Sequence, residues 1–445
     1  MTPARFDPAV LANDPTRRST VLQILDGALA EVEPDRAVHR ALHYRDGSLE
    51  VAGVRLKAAD VKRVMVLAFG KAAPAMARAA VDELRGLEVE GLVISNHSEP
   101  VPDSLELRVT GHPLPDERSM GAAQTALDLL HRADESDIVL CLISGGGSAL
   151  LELPATGLTL SDEQATVNAL LSAGADIQEL NTVRKHLSAI KGGRLAQAAD
   201  PAWLLTLILS DVVGNPLDVI ASGPSVPDPT TYSDALEVLD RYDLRSRVPD
   251  SIINYLNTRR GATIDETPKN PYTKQSVSII GDGATAAEGA AAAARGAGWP
   301  AVIATTTMTG DARTEAVRCL EQAAEHGVTI FAGETTVKVT GRGRGGRNQE
   351  AALAAAQQLV GDPATLFASL GTDGIDGPTE AAGAIVDSST IARGLKLGLD
   401  AGRHMEANDS GTYLEATGDL LITGPTGTNV GDVWIVVRGS GDRMP

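Results

Sequence analysis

The chain has 445 residues, 43% of them hydrophobic and only 3% aromatic, and carries a formal net charge of −19. Its length exceeds what one core usually serves, so two domains with aliphatic, Ala-rich interiors are expected. The acidic balance argues against broad nucleic-acid or anionic-membrane surfaces, and no run approaches the ~18 uninterrupted apolar residues of a membrane helix.

The opening stretch MTPARFDPAVLANDPTRRST lacks the apolar core of a signal peptide, and the chain reads as cytoplasmic. Residues 19–42 read as helical. Repeated units follow. VKRVMVLAFG is a strand ending in glycine, before the helix KAAPAMARAAVDEL. GLVISN and LELRVTG are strands, before the helix DERSMGAAQTALDLLHRA. DIVLCLISGGG is a strand ending in a glycine turn, and LNTVRKHLSAIKGGRLAQA a helical stretch leading to the strand PAWLLTLILSD. Near-continuous apolar strands alternating with amphipathic helices indicate an α/β protein with parallel sheets covered on both faces. Cys141 and Cys319 lie inside such apolar patterns, as buried free thiols rather than a disulfide.

GNPLDVIASGPSVPDPTTY reads as an ordered loop, and residues 257–275, polar and broken by Pro, as a linker. The pattern then restarts with the strand SVSIIGDG, an Ala-rich helix, the strand PAVIATT and the helix TEAVRCLEQAAEHG. TTVKVT is strand-like, and TLFASLGTDG and DVWIVVR are later strands. This divides the chain into domains 1–256 and 276–445, with residues 1–45 left as a segment that packs on the second domain if that domain is discontinuous.

In open α/β sheets, ligands sit at the carboxyl ends of strands, so the strand-end motifs are the candidates. Lys71 follows Gly70 where a helix opens, a costly place for a cation unless an anion is bound there. Gly145, Gly146 and Gly147 lie between Ser144 and Ser148, a run whose N–H groups can converge on an anion with two hydroxyls to help. Asn181, Arg184, Lys185 and Ser188 share one helical face. Asp211 with Asp218, and Asp373 with Asp376, are carboxylates on loops after apolar strands, which suit a hard cation such as Mg²⁺. The histidines show no metal-ligand spacing, and His112 reads as a positioning residue. No G-x-S-x-G elbow is present.

GRGRGGRNQE, residues 341–350, poses the sharpest question. Gly341, Gly343 and Gly346 spell the dinucleotide fingerprint G-x-G-x-x-G, but no acidic residue stands where the ribose would need one, and Arg342, Arg344 and Arg347 crowd the loop. So much positive charge fits a phosphoryl group in transfer better than a pyrophosphate, because phosphoryl transfer is catalysed mainly by positioning and charge neutralisation. The inventory is that of a kinase-like site.

FGKAAPAM, GHPLPDE, ISGGGSALLELP, LNTVRKHLSAIKGGRLA, SDVVGNPLDVIASGP, GRGGRNQE, GTDGIDGPTEAAGAIVD and LLITGPTGTNVGD, in this order over nearly the whole chain, resemble the glycerate 2-kinase family with a C-terminal MOFRL domain. The resemblance implies two dissimilar three-layer α/β/α domains, the N-terminal one Rossmann-like, with the active site in the interdomain cleft. It implies ATP-dependent phosphorylation of D-glycerate at its 2-hydroxyl, giving 2-phosphoglycerate and ADP, with Mg²⁺ or another divalent cation. The partners are then these small molecules, without nucleic acid or membrane, and a homodimer is compatible with the pattern. The family's essential lysine and arginine fall on Lys71 and Arg347. Ser144, Gly145, Gly146, Gly147, Ser148, Asn181, Lys185, Arg344, Asn348 and Asp373 are expected on the nucleotide and its phosphates, with Asp211 and Asp373 for the metal or the attacking hydroxyl. One departure is Asn215, where the family usually has aspartate. Relatives also carry the label hydroxypyruvate reductase, an NAD(P)H-dependent alternative that the residues do not support.

Overall fold

The computed structural model describes residues 5–261 and 265–439, so part of the expected linker at 257–275 lies outside the described residues. The chain forms two compact units, one of residues 37–210 and 215–280, the other of residues 1–36, 211–214 and 281–445.

The first unit opens with a three-stranded antiparallel meander, β1 (Leu42–Arg45), β2 (Ser48–Val51) and β3 (Val54–Lys57). Its main sheet holds β4 (Val64–Phe69), β5 (Val89–Ser95), β6 (Leu105–Val109), β7 (Ile138–Ile143), β8 (Trp203–Leu209) and β9 (Gln275–Gly281), in the order β6-β5-β4-β7-β8-β9. The pairs β4/β5, β5/β6, β4/β7 and β7/β8 are parallel. Every residue of β4 and β7 is buried, which is why both read as unbroken apolar runs. The strand order reverses between β4 and β7, and their register pairs Phe69 with Ile143. The turns that follow these strands therefore emerge side by side at the sheet's switch point.

β9 is the strand expected to begin the second domain. It is instead the edge of the first sheet, only partly buried along most of its length, and the second unit starts after it. An edge strand and a new sheet's first strand present the same short apolar pattern, so sequence alone does not separate them.

The second unit contains β10 (Ala301–Met308), β11 (Gly327–Gly333), β12 (Thr365–Gly371), β13 (Gly383–Asp387), β14 (Leu420–Leu421) and β15 (Asp432–Arg438), in the order β10-β11-β15-β12-β13-β14. Only β10 and β11 run parallel; β15 inserts antiparallel to both β11 and β12, and β13 is antiparallel to β12 and β14. The expected parallel sheet is thus mixed here, because helices cover it and a buried antiparallel strand then reads as the same apolar run. TTVKVT forms no strand beyond an isolated bridge from Thr336 to Asp311.

The helix Pro15–Glu31 buries Val21, Leu22, Ile24, Leu25, Ala28 and Leu29 in the core of this second unit, against Ala286, Ala287, Ala290 and Ala291 of the helix Gly283–Gly296. Gly27 and Gly289 permit that approach: a Cβ on Gly289 would lie 2.5 Å from the Gly27 carbonyl oxygen. Each large aliphatic side chain so buried contributes about 2 kcal/mol, and the buried guanidinium of Arg18 bonds Asp387 and Asp419. Cys141 and Cys319 are free and buried. Among the described residues no helix is long and apolar enough to cross a membrane.

Candidate active site

In the first unit, Lys71 follows β4 and the glycine turn follows β7. Gly70 has φ +128°, and a Cβ there would stand 2.1 Å from Ser144 Oγ, so only glycine allows the two turns to meet. They are stitched together: Lys71 N–H donates to the Gly145 carbonyl at 2.9 Å, and Ala72 N–H donates to Ser144 Oγ at 3.0 Å. Gly146 is left-handed, with φ +84°, and a Cβ on it would lie 3.0 Å from the His112 ring and 3.6 Å from Lys71 Cγ. Partial burial and the Lys71 ammonium lower the pKa of His112, so the ring facing this turn is neutral at pH 7. The N–H groups of Gly145, Gly146, Gly147 and Ser148 donate to no acceptor among the described residues.

Asn181 reaches the turn indirectly. Ser222 Oγ donates to Asn181 Oδ1 at 2.8 Å and lies 2.9 Å from Ser148 Oγ, so the Ser148 hydroxyl donates to Ser222. Ser222 and the preceding Ala221 hold φ of +62° and +50°, a left-handed strain that places the hydroxyl. Lys185 does not join this group. Its ammonium is buried between Asp218, at 2.9 Å, and Asp228, at 3.3 Å. Helical spacing puts Lys185 beside Asn181 but cannot reveal the two distant aspartates that pair with it.

In the second unit, Arg347 is the first residue of the helix Arg347–Gln358, and its guanidinium is held by Asp432, at 2.7 Å, and Glu334, at 3.0 Å. Burial alone would lower its pKa, but these carboxylates outweigh that and keep it firmly protonated. Glu334 is raised above the usual carboxylate range, by burial first and then by Asp432, Asp211 and Asp373, against the pull of Arg347. Arg347 thus stands among acids. Asp211 accepts from Asn429 Nδ2 at 3.1 Å, and the Asp373 side chain accepts from Ile375 N–H at 3.1 Å. Asn348 is fixed on three sides, donating to Asp432 at 2.9 Å and to Asp376 at 3.3 Å while its Oδ1 accepts from Trp434 at 2.7 Å. So held, it helps to orient Asp432.

Asp376 is not a free carboxylate for a cation. It accepts from the N–H groups of Asn348, at 3.0 Å, and Gln349, at 2.8 Å, and so caps the helix whose own N-cap, Gly346, has no side chain. The G-x-G-x-x-G loop has a packing explanation. A Cβ on Gly341 would meet the Ala407 carbonyl at 2.0 Å, one on Gly343 would meet Asp409 Cβ at 2.3 Å, and one on Gly346 would meet Asp376 at 2.3 Å. Three of the loop's N–H groups are taken by protein: Gly341 donates to Asn408 Oδ1, Gly343 to the Ala407 carbonyl, and Arg344 to Asp409 Oδ1. Arg344 carries its charge outward to an exposed pair with Glu415 at 2.7 Å, away from Arg347's partners.

Sequence reading missed Glu334, Asp432, Asn429 and Ser222 as partners. Asn429, Asp432 and Ser222 stand in the quoted blocks GTNVGD and ASGP, so their presence was visible while their contacts were not. No group of three or more His, Cys, Asp or Glu side chains among the described residues could by itself hold a metal ion.

Residues 20–257 match the family described as a domain of unknown function (DUF4147), and residues 327–432 match the MOFRL family. The chain is 40% identical to a D-glycerate 2-kinase of Thermotoga maritima over 97% of its own length and 99% of the relative's. A putative hydroxypyruvate reductase of Agrobacterium vitis is 38% identical, with 96% of each chain covered. The crystal structure of the glycerate kinase of Thermotoga maritima superposes with a TM-score of 0.85 at 40% identity, covering 96% of this chain and 100% of that one. With both family matches in place and relatives aligned along nearly its whole length, the chain belongs to the family of glycerate kinases that end in a MOFRL domain.

Proposed function

We propose that this chain transfers the γ-phosphoryl group of ATP to the 2-hydroxyl of D-glycerate, giving 2-phosphoglycerate and ADP. The observation that carries this reading is the glycine turn at residues 144–148, whose four N–H groups meet no acceptor among the described residues, with Lys71 beside it. A cation next to such a cradle suits phosphoryl transfer, which is catalysed mainly by positioning and charge neutralisation.

In this reading the turn at residues 144–148 grips phosphate or the glycerate carboxylate through its N–H groups, and Lys71 adds the charge beside it. Arg347, kept protonated and aimed by Asp432 and Glu334, neutralises charge on the moving phosphoryl group. Asp211 orients the attacking hydroxyl, with Asn429 fixing its carboxylate. Asp211 and Asp373 are the carboxylates that would hold a divalent cation; two oxygen donors with no third ligand suit Mg²⁺, which completes its shell with phosphate oxygens and water. When bound, such a cation supplies neutralisation of the nucleotide's phosphate charge.

The test is to incubate the protein with D-glycerate, ATP and Mg²⁺ and pass the product directly to enolase, which accepts 2-phosphoglycerate and not its 3-isomer. Immediate phosphoenolpyruvate is the expected result. ADP without phosphoenolpyruvate would overturn the 2-position. Oxidation of NADH by hydroxypyruvate, with no ADP formed, would replace the kinase reading with the reductase.

A further inference from the structure

We infer that Lys191 and Glu152 are positioning residues for catalysis: their buried ion pair clamps the Ser148 carbonyl, and through it sets the direction of the N–H groups in the turn at residues 144–148. The inference rests on the proposed role of that turn. All the groups concerned lie in the first unit.

The Ser148 carbonyl accepts two cationic donors, Lys191 Nζ at 3.0 Å and Arg184 Nη at 3.3 Å. Two charged donors on one peptide oxygen fix the plane of the 148–149 peptide, which closes the turn on its helix side and so sets the backbone at Ser148, and charge-assisted bonds are the stronger kind. The Ser148 hydroxyl is fixed separately through Ser222 and Asn181. Residue 148 is therefore held at its carbonyl and at its side chain, which leaves its N–H and those of the three glycines to face a ligand.

Behind the carbonyl the charge is balanced with care. Lys191 Nζ bonds the Glu152 carboxylate, and Ser188 Oγ donates to the same carboxylate at 2.8 Å. Lys191, Glu152 and Ser188 are fully buried. Burial would raise Glu152, but Lys191 outweighs it and holds the carboxyl below its usual range. Glu163, beside it, is pushed well above the usual carboxylate range by burial and by the Glu152 charge. Ion pairs buried this deeply can be replaced by neutral side chains with little loss of stability, so structural need does not explain this one. A job at the Ser148 carbonyl does.

The test compares three variants in the enolase-coupled assay. Lys191→Met with Glu152→Gln removes both charges together and so strands neither. It is expected to melt near wild type yet lose roughly 10- to 100-fold in kcat, with a much smaller change in KM for glycerate, the penalty of misdirected N–H groups. Lys191→Arg keeps the charge and should recover most of that loss. Wild-type kcat in a folded double variant would overturn the inference. If the double variant does not fold, Arg184→Met decides, since it removes a donor from the same carbonyl and leaves the ion pair intact: a kcat several-fold below wild type supports the clamp, and an unchanged kcat overturns it. Absence of phosphoenolpyruvate from the wild type itself would sink the proposed function and this inference together, whereas wild-type turnover with unaffected variants would sink the clamp alone.

Discussion

At residues 144–148 four successive N–H groups find no acceptor among the described residues, while in the loop at 341–346 those of Gly341, Gly343 and Arg344 are taken by the segment at 407–409. Both segments are glycine-rich, both lie near a cation, and both precede a helix. Their glycines nevertheless serve opposite ends. Gly70 and Gly146 take up left-handed backbone that shapes a turn, whereas Gly341 and Gly343 are there because a neighbouring chain passes within the volume of a Cβ. The difference shows that a glycine pattern announces a close approach and leaves its occupant open, ligand or protein.

The comparison would be broken most directly at the two cations. Lys71→Ala and Arg347→Ala are each expected to lower kcat about 1,000-fold, the scale of losing one preorganised charge stabiliser in the transition state. Circular dichroism should show both variants folded. Arg347→Lys should recover little, because an ammonium cannot engage Asp432 and Glu334 while presenting a second edge to a phosphoryl group. Near-wild-type turnover in Arg347→Ala would mean that the helix start after the loop at 341–346 takes no part in the chemistry.

How much of this was legible beforehand depends on the kind of interaction. The parallel sheet of the first unit was legible because β4 and β7 are buried on both faces and say so in every residue. The antiparallel insertion of β15 was not, since DVWIVVR has the same apolar signature in either direction. Lys71 and the glycine turn were each legible as strand-end candidates, while their adjacency came only with the pairing of β4 and β7. The ion pair of Lys185 was not legible, because helix spacing identifies its face and not the aspartates at positions 218 and 228 that hold its charge. Asp432 lies 85 residues from Arg347, and nothing local to either marks their pairing. Partners brought together by tertiary contact alone were the part that sequence left out.

A pair of glycine substitutions sharpens the comparison. Gly146→Ala forces alanine into φ +84°, which costs about 1–2 kcal/mol, and sets a methyl 3.0 Å from the His112 ring. Its main effect should be on turnover, roughly 10- to 100-fold, because the turn's N–H groups shift. Gly343→Ala places a methyl 2.3 Å from Asp409 Cβ and must part the two segments. That overpacking should cost about 3 kcal/mol of stability, read as a lower urea midpoint, with a smaller loss of kcat per folded molecule than Gly146→Ala shows. A reversed order, with Gly343→Ala the more damaging to kcat at equal folding, would make the loop at 341–346 the functional one.

The smallest expected effect concerns Asp376, whose carboxylate closes the helix end behind that loop. Burial pushes its pKa up to about 6, with the charge of Asp432 adding to the rise and the N–H bonds of Asn348 and Gln349 opposing it. In the unfolded chain it returns to about 3.9, so between these values the folded protein holds the proton that the unfolded chain has lost. Its contribution to stability is therefore full below the unfolded value and declines as pH rises through the folded one. The whole decline is about 3 kcal/mol at most. Asp376→Asn cannot titrate and should lack it. Urea unfolding of both proteins at pH 4, 5, 6 and 7 should show wild type losing ground to the variant across the interval from 4 to 6, then no further change. A constant difference over that range would mean that Asp376 is ionised throughout, its two N–H bonds outweighing burial. The cap would then be a charged one, and the helix end at Arg347 would carry a fixed negative group instead of a protonated carboxyl at mildly acid pH.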